Sequence, residues 1–151
     1  MWGSRGDDSF GTSLQRTHAF VRERDRSGFL DRLHEDGAFG AETAVAGDGT
    51  TLLSRDLLDS ANELCFLEEE LELSRWPEGT GVLDIGAGYG RLCHRMGEAL
   101  PHLSLIATDG VPESLALAES YLAHRGAEAR VVPPAQLAET LAATPARLAV
   151  A

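Results

Sequence analysis

Residues 82–92 read VLDIGAGYGRL, and this short run concentrates the residue types most able to hold a ligand. Asp84 stands two residues before Gly86, Gly88 and Gly90 follow at alternate positions, and Arg91 comes next. Glycines so spaced let a backbone turn sharply and approach a ligand with no Cβ between them. Glycine-rich turns of this kind bind several nucleotide cofactors, so the neighbours must discriminate. In the dinucleotide fingerprint GxGxxG the last glycine permits close helix–strand packing. Arg91 occupies that position here and would obstruct it. A carboxylate at Asp84 would oppose a pyrophosphate but suits an ammonium or sulfonium group.

A second acid completes the constellation. A helix of about 12 residues after the glycines runs ~18 Å away from the loop, and a strand of six returns ~20 Å. Asp109, at the end of that strand, is therefore expected at the same sheet edge as Gly86, one strand over. A carboxylate there can accept hydrogen bonds from both hydroxyls of a ribose.

Other reactive types carry less. His18, His34, His94, His102 and His124 are candidates for proton transfer by type alone, and surface or helix-packing roles suit each of them. Cys65 and Cys93 fall at apolar helical positions and read as core thiols. The run Glu68, Glu69, Glu70 reads as the solvated end of a helix, not a metal site.

The elements that must position these residues follow from period and punctuation. Residues 1–16, rich in Gly, Ser, Asp and Arg, are expected to form a flexible arm. Residues 17–77 are expected to be a helical N-terminal segment, with short helices broken near Gly28 and Gly37 and a loop over 37–51. A longer helix over 54–73 follows, N-capped by Ser54, with Leu57, Ala61, Leu64, Leu67 and Leu71 as its apolar stripe. Trp76, Pro77 and Gly79 are expected to stop it.

From residue 78 strands and helices alternate. Strands are expected at 81–85, 103–108, 129–132 and 146–151. The intervening helices use Pro112 in a first turn and Gly126 as a C-terminal stop. Such alternation implies a parallel sheet with right-handed crossovers. The predicted fold is α/β, a Rossmann-like parallel sheet of about four strands over residues 78–151.

Composition narrows the partners. The 151 residues are 43% hydrophobic and 25% charged, as in a soluble globular protein, with a net charge of −11. That charge argues against nucleic acid and against an acidic membrane surface. No apolar run approaches the ~20 residues needed to span a bilayer, and the start, MWGSRGDDSFG, does not resemble a signal peptide. A cytoplasmic setting is the expectation.

The pair D84-I-G-A-G-Y-G90 and D109 resembles the cofactor motif of class I S-adenosylmethionine-dependent methyltransferases. The resemblance implies that Asp84 and the backbone of Gly86, Ala87 and Gly88 hold the methionine part of S-adenosyl-L-methionine. It further implies that Asp109 holds the ribose, and that Gly110 and Val111 lie along the adenine. Three stretches, 52–71, 82–101 and 107–126, are also similar to a sugar O-methyltransferase family. That similarity implies methyl transfer to a hydroxyl of a sugar or glycoside acceptor. An alcohol is a poor nucleophile, so a base or metal would have to assist. The sequence does not identify one.

Two departures accompany the resemblance. VVPPAQ, after the third strand, lacks the acid that often contacts adenine in this superfamily. The full fold has seven strands in the order 3-2-1-4-5-7-6, and this chain reaches only the fourth. The expectation is therefore the cofactor-binding half of a longer enzyme. Its exposed fourth strand would invite self-association or a complementing C-terminal fragment, with marginal stability alone. A non-catalytic S-adenosylmethionine-binding or interaction module is the alternative, and an NAD-dependent oxidoreductase is disfavoured by Arg91 and Asp84.

Overall fold

The structure is a computed structural model and describes residues 7–151. It divides into two compact units, one ending at Leu71 and the other running from Glu72 to Ala151.

The first unit is built from helix α1 (Asp7–Arg24), a hairpin of β1 (Thr43–Val45) and β2 (Leu52–Ser54), and helix α2 (Arg55–Leu71). Residues 7–16 are thus helical and not part of an arm, while residues 1–6 lie outside the described range. A glycine inside a helix costs about 1 kcal/mol relative to alanine, which is why Gly11 and its polar neighbours suggested a coil. Burial of Leu14 and Val21, two turns apart on one face, offsets that cost. Between Arg24 and Gly37 no second helix forms. The Asp25 carboxylate instead accepts the N–H groups of Phe29 and Leu30, both at 2.8 Å, and fixes a turn.

The expected loop over 37–51 contains β1, and the segment expected to combine helices and that loop contains a hairpin. Three-residue strands are too short to show alternation, so their sequence gave no period to read. Ser54 caps α2 as expected, its Oγ accepting the Leu57 N–H at 3.0 Å. The stripe Leu57, Ala61, Leu64 and Leu67 is buried, whereas Leu71 is half-exposed. The helix stops before Trp76, because Glu72 adopts a left-handed conformation (φ 52°) that ends the α-helical ladder.

The second unit alternates strictly: β3 (Gly81–Ile85), α3 (Arg91–Ala99), β4 (Ser104–Thr108), α4 (Pro112–Arg125), β5 (Ala129–Val131), α5 (Pro134–Ala143) and β6 (Ala146–Val150). All four strands are parallel, in the order β5-β4-β3-β6. The Rossmann-like α/β reading holds, with the fourth strand of the sheet beside its first. The two central strands are buried on both faces along most of their length, and the outer strands β5 and β6 are more open.

Handedness then assigns the layers. The crossovers β3-α3-β4 and β4-α4-β5 step one way across the sheet, and β5-α5-β6 steps back. With right-handed crossovers, α3 and α4 cover one face and α5 the other. Packing agrees: Leu83, Ile106 and Val132 cluster with Leu137 and Leu141 of α5, while Leu105, of opposite pleat, faces Gly97 of α3. Each fully buried leucine of this kind contributes about 1.5–3 kcal/mol. The strand order reverses at β3, so the crevice beyond its carboxyl end is the topological switch point of the sheet.

Candidate functional site

The glycine loop leaves β3 at that switch point. Gly86 and Gly88 have φ of +73° and +57°, and no atom lies within 4 Å of where a Cβ would stand on either. An L side chain at these positions would be strained and would project into the open space that a ligand needs. Gly110, at the end of the neighbouring strand, likewise faces open space.

The loop is stitched to the end of β4. The Thr108 carbonyl accepts the N–H groups of Gly86 (2.9 Å) and Ala87 (3.0 Å). Asp109 Oδ2 accepts the Gly88 N–H at 2.9 Å, and its Oδ1 accepts the Val111 N–H at 2.8 Å. Asp109 therefore does return to the glycine edge one strand over, as helix and strand lengths required. The Val111 N–H, and then the Gly88 N–H, hold its carboxyl below the ordinary carboxylate range. Ionised across the neutral range, it retains lone pairs for further donors such as vicinal hydroxyls.

Asp84 sits at the penultimate position of β3, its side chain buried, and is paired in register with Ala107. Its Oδ2 accepts the thiol of Cys93 at 3.6 Å. Cys93 is a core thiol, as expected. Burial, then the nearby Asp84 charge, pushes it well above the ordinary thiol range. Sequence reasoning missed this partnership, which depends on the first turn of α3 folding back over β3. Ile85 is another omission: an apolar residue ending β3 yet 44% exposed. With Val111, 51% exposed, it places apolar surface at the same carboxyl edge of the sheet.

The arrangement fits a nucleoside cofactor with a cationic centre. A Cβ-free cradle, a buried carboxylate on one strand and an accessible carboxylate on the next are the groups that such a molecule needs. Asp84, Gly86, Ala87, Gly88, Asp109, Gly110 and Val111 are all at this one edge, with Ala87 and Asp109 half-buried and Gly110 and Val111 exposed.

Two histidines of this unit have other work. His94 is buried and shares a hydrogen bond with the Tyr121 hydroxyl (2.8 Å), and His102 Nε2 lies 3.1 Å from the Leu73 carbonyl. A cavity of about 310 Å³ lined by His94, Glu98, Pro101, Leu103 and Gly126 lies at the amino ends of β4 and β5, the opposite edge from the glycine loop. Among the described residues no group of three or more His, Cys, Asp or Glu side chains could hold a metal ion, and no helix is long and apolar enough to cross a membrane.

Comparison with known proteins places this geometry in context. The family model of the methyltransferase small domain matches residues 48–144. No curated protein matches the chain. Among solved structures, the YcgJ protein from Bacillus subtilis is 25% identical, with a TM-score of 0.36, over 44% of this chain and 28% of that one. TrmK of M. capricolum, solved with S-adenosyl-homocysteine, is 15% identical, with a TM-score of 0.34, over 41% of this chain and 29% of that one. Coclaurine N-methyltransferase, solved with N-methylheliamine and SAH, is 17% identical, with a TM-score of 0.40, over 87% of this chain and 39% of that one. This chain thus spans 28–39% of the length of these three.

Proposed function

The chain belongs to the methyltransferase small domain family, and from that premise we propose that the edge formed by Asp84, the glycine loop and Asp109 binds S-adenosyl-L-methionine. The observation that carries the reading is the Asp109 carboxylate, bound to the Gly88 and Val111 N–H groups beside a cradle free of side chains. Asp109 orients the ribose through its hydroxyls. The backbone of Gly86, Ala87 and Gly88 lies along the methionine part, and the buried Asp84 charge favours the cationic end. Gly110 and Val111 border the adenine, with the exposed Val111 side chain offering it an apolar surface.

When bound, the cofactor supplies an electrophilic methyl group on a sulfonium. The acceptor we propose is a small molecule, specifically a sugar or glycoside hydroxyl. Support comes from the likeness of residues 52–71, 82–101 and 107–126 to sugar O-methyltransferases. Two free, buried cysteines suit a cytoplasmic setting. The exposed outer edge of β6 is a place for pairing with a complementing segment or a second copy.

A second reading, a binding module without catalysis, is favoured by one observation: neither His94 nor His102 is free to serve as a base at the carboxyl edge. Titration calorimetry with S-adenosylmethionine and with NAD tests the binding site. Heat with the first and none with the second is expected, and the reverse would refute it. Transfer of labelled methyl to a panel of sugars then separates enzyme from module.

A further inference from the structure

The glycine loop has a support on α4. Tyr89, inside the loop, meets Tyr121 edge to face, with ring centroids 5.0 Å apart and planes at 90°. Leu122, the next residue on α4, packs where a Cβ on Gly90 would stand, 3.0 Å from it. Tyr121 is itself fixed from three sides. Its hydroxyl bonds His94 Nδ1 at 2.8 Å, its ring meets the imidazole edge to face at 5.4 Å, and the Arg125 guanidinium lies 5.3 Å from its ring centroid. His94 Nε2 faces Glu98 Oε1 at 3.5 Å, and Glu98 Oε2 accepts Arg95 Nη1 at 3.1 Å. In the neutral ring a carboxylate opposite Nε2 calls for the proton on that nitrogen, which leaves Nδ1 to accept the Tyr121 O–H.

The chain of contacts therefore runs Glu98, His94, Tyr121, Tyr89, and ends within the loop whose N–H of Gly88 meets Asp109. A buried polar network costs much if half satisfied and specifies one geometry if complete. His94 and Tyr121 are nearly inaccessible, so neither is a surface ornament. We infer that Tyr121 and His94 are positioning residues for S-adenosylmethionine, holding the glycine loop in its binding conformation through Tyr89. They touch the loop or one another, not the cofactor, and the inference rests on the cofactor assignment proposed above. A loop already held in place spares the ligand the cost of ordering it.

The test measures S-adenosylmethionine affinity by calorimetry and backbone amide exchange across residues 86–91 by mass spectrometry. Tyr121→Phe keeps the ring contact and loses the His94 bond. A loss of about 3-fold in affinity is expected, since one neutral hydrogen bond is worth a few-fold to tenfold. Tyr121→Leu also loses the ring, and about 10-fold or more is expected. His94→Leu should behave as Tyr121→Phe, and His94→Asn, which restores an acceptor near Nδ1, should recover most of the loss. Exchange at 86–91 should quicken in the weakened variants while β4 and β5 stay protected. Thr140→Val on α5, buried but remote from the loop, is the stability control. Wild-type affinity in Tyr121→Leu, or an equal loss in Thr140→Val at matched stability, would overturn the inference. If the wild type itself binds no S-adenosylmethionine, the cofactor assignment falls, and loop exchange alone decides: unchanged exchange in Tyr121→Leu refutes positioning, and quickened exchange confined to 86–91 sustains it.

Discussion

Asp109 Oδ2 accepts the Gly88 N–H at 2.9 Å, so the ends of two adjacent strands are joined by a charged hydrogen bond across 21 residues of chain. The same carboxylate that we propose holds the ribose thereby shapes the glycine loop beside it.

Asp109→Asn keeps the size of the side chain but loses the charge and one acceptor. S-adenosylmethionine affinity should fall on the order of 10-fold, and Asp109→Ala should lose about 100-fold, as expected for hydrogen bonds to a charged group. Calorimetry reads the affinities. Circular dichroism should show an intact fold in both, and wild-type affinity in Asp109→Ala would remove this residue from the site.

The pH dependence follows from the direction of the Asp109 shift. Its carboxyl is held below the ordinary range by the Val111 and Gly88 N–H groups. The stability these bonds contribute is fully present above the unfolded value of about 3.9 and is lost as pH falls through the lower folded value. Affinity for S-adenosylmethionine should therefore stay flat from about pH 5 to pH 8 and weaken only below about pH 4. A titration midpoint near neutrality in a binding-versus-pH curve would mean that another group controls the site.

Two glycines of one loop should respond differently to alanine. At Gly86 the space ahead is open, so Gly86→Ala pays only the left-handed backbone cost of about 1–2 kcal/mol and projects a methyl toward the ligand. At Gly90 the added Cβ meets Leu122 at 3.0 Å as well, and overpacking adds about 1–3 kcal/mol. Denaturant unfolding should show Gly90→Ala as the less stable of the two, with Gly86→Ala losing affinity beyond its loss of stability. Equal stabilities would contradict the packing of Leu122 on the loop.

Both thiols should resist modification in the native protein. Burial, then the Asp25 charge, pushes the Cys65 thiol up to about 11. At pH 8 that leaves a thiolate fraction of roughly one in a thousand. Cys93 is pushed higher still by burial and Asp84. An aromatic disulfide reagent should label neither within minutes at pH 8, and both on unfolding in guanidinium. Rapid labelling of one thiol in the folded state would show that its surroundings open.

The second unit was legible in the sequence because its elements carry independent signals. Pro112 and Gly126 bracket α4, with Gly126 in the left-handed C-cap, and the five-residue strands β3, β4 and β6 were long enough to stand out. The position of Asp109 came from helix rise and strand rise alone. The first unit was less legible: Gly11 hid a helix stabilised by tertiary burial, and three-residue strands such as Thr43–Val45 acquire their identity only by pairing. In the site, Asp84 and Asp109 announced themselves, whereas Cys93 and the Tyr89–Tyr121–His94 contacts did not. Those depend on how α3 and α4 pack, and a thiol or tyrosine at an apolar helical position looks like ordinary core.

The place of β6 beside β3 also bears on the order in which the chain can acquire its shape. Strands β3, β4 and β5 join through successive short crossovers, whereas β6 pairs Ala146 with Gly81, residues separated by most of the unit. Closing that larger loop carries the greater entropy cost and depends on a strand that leaves the ribosome after the other three. A nascent chain can therefore join β3, its glycine loop and β4 before the strand that completes the other flank of β3 has been made.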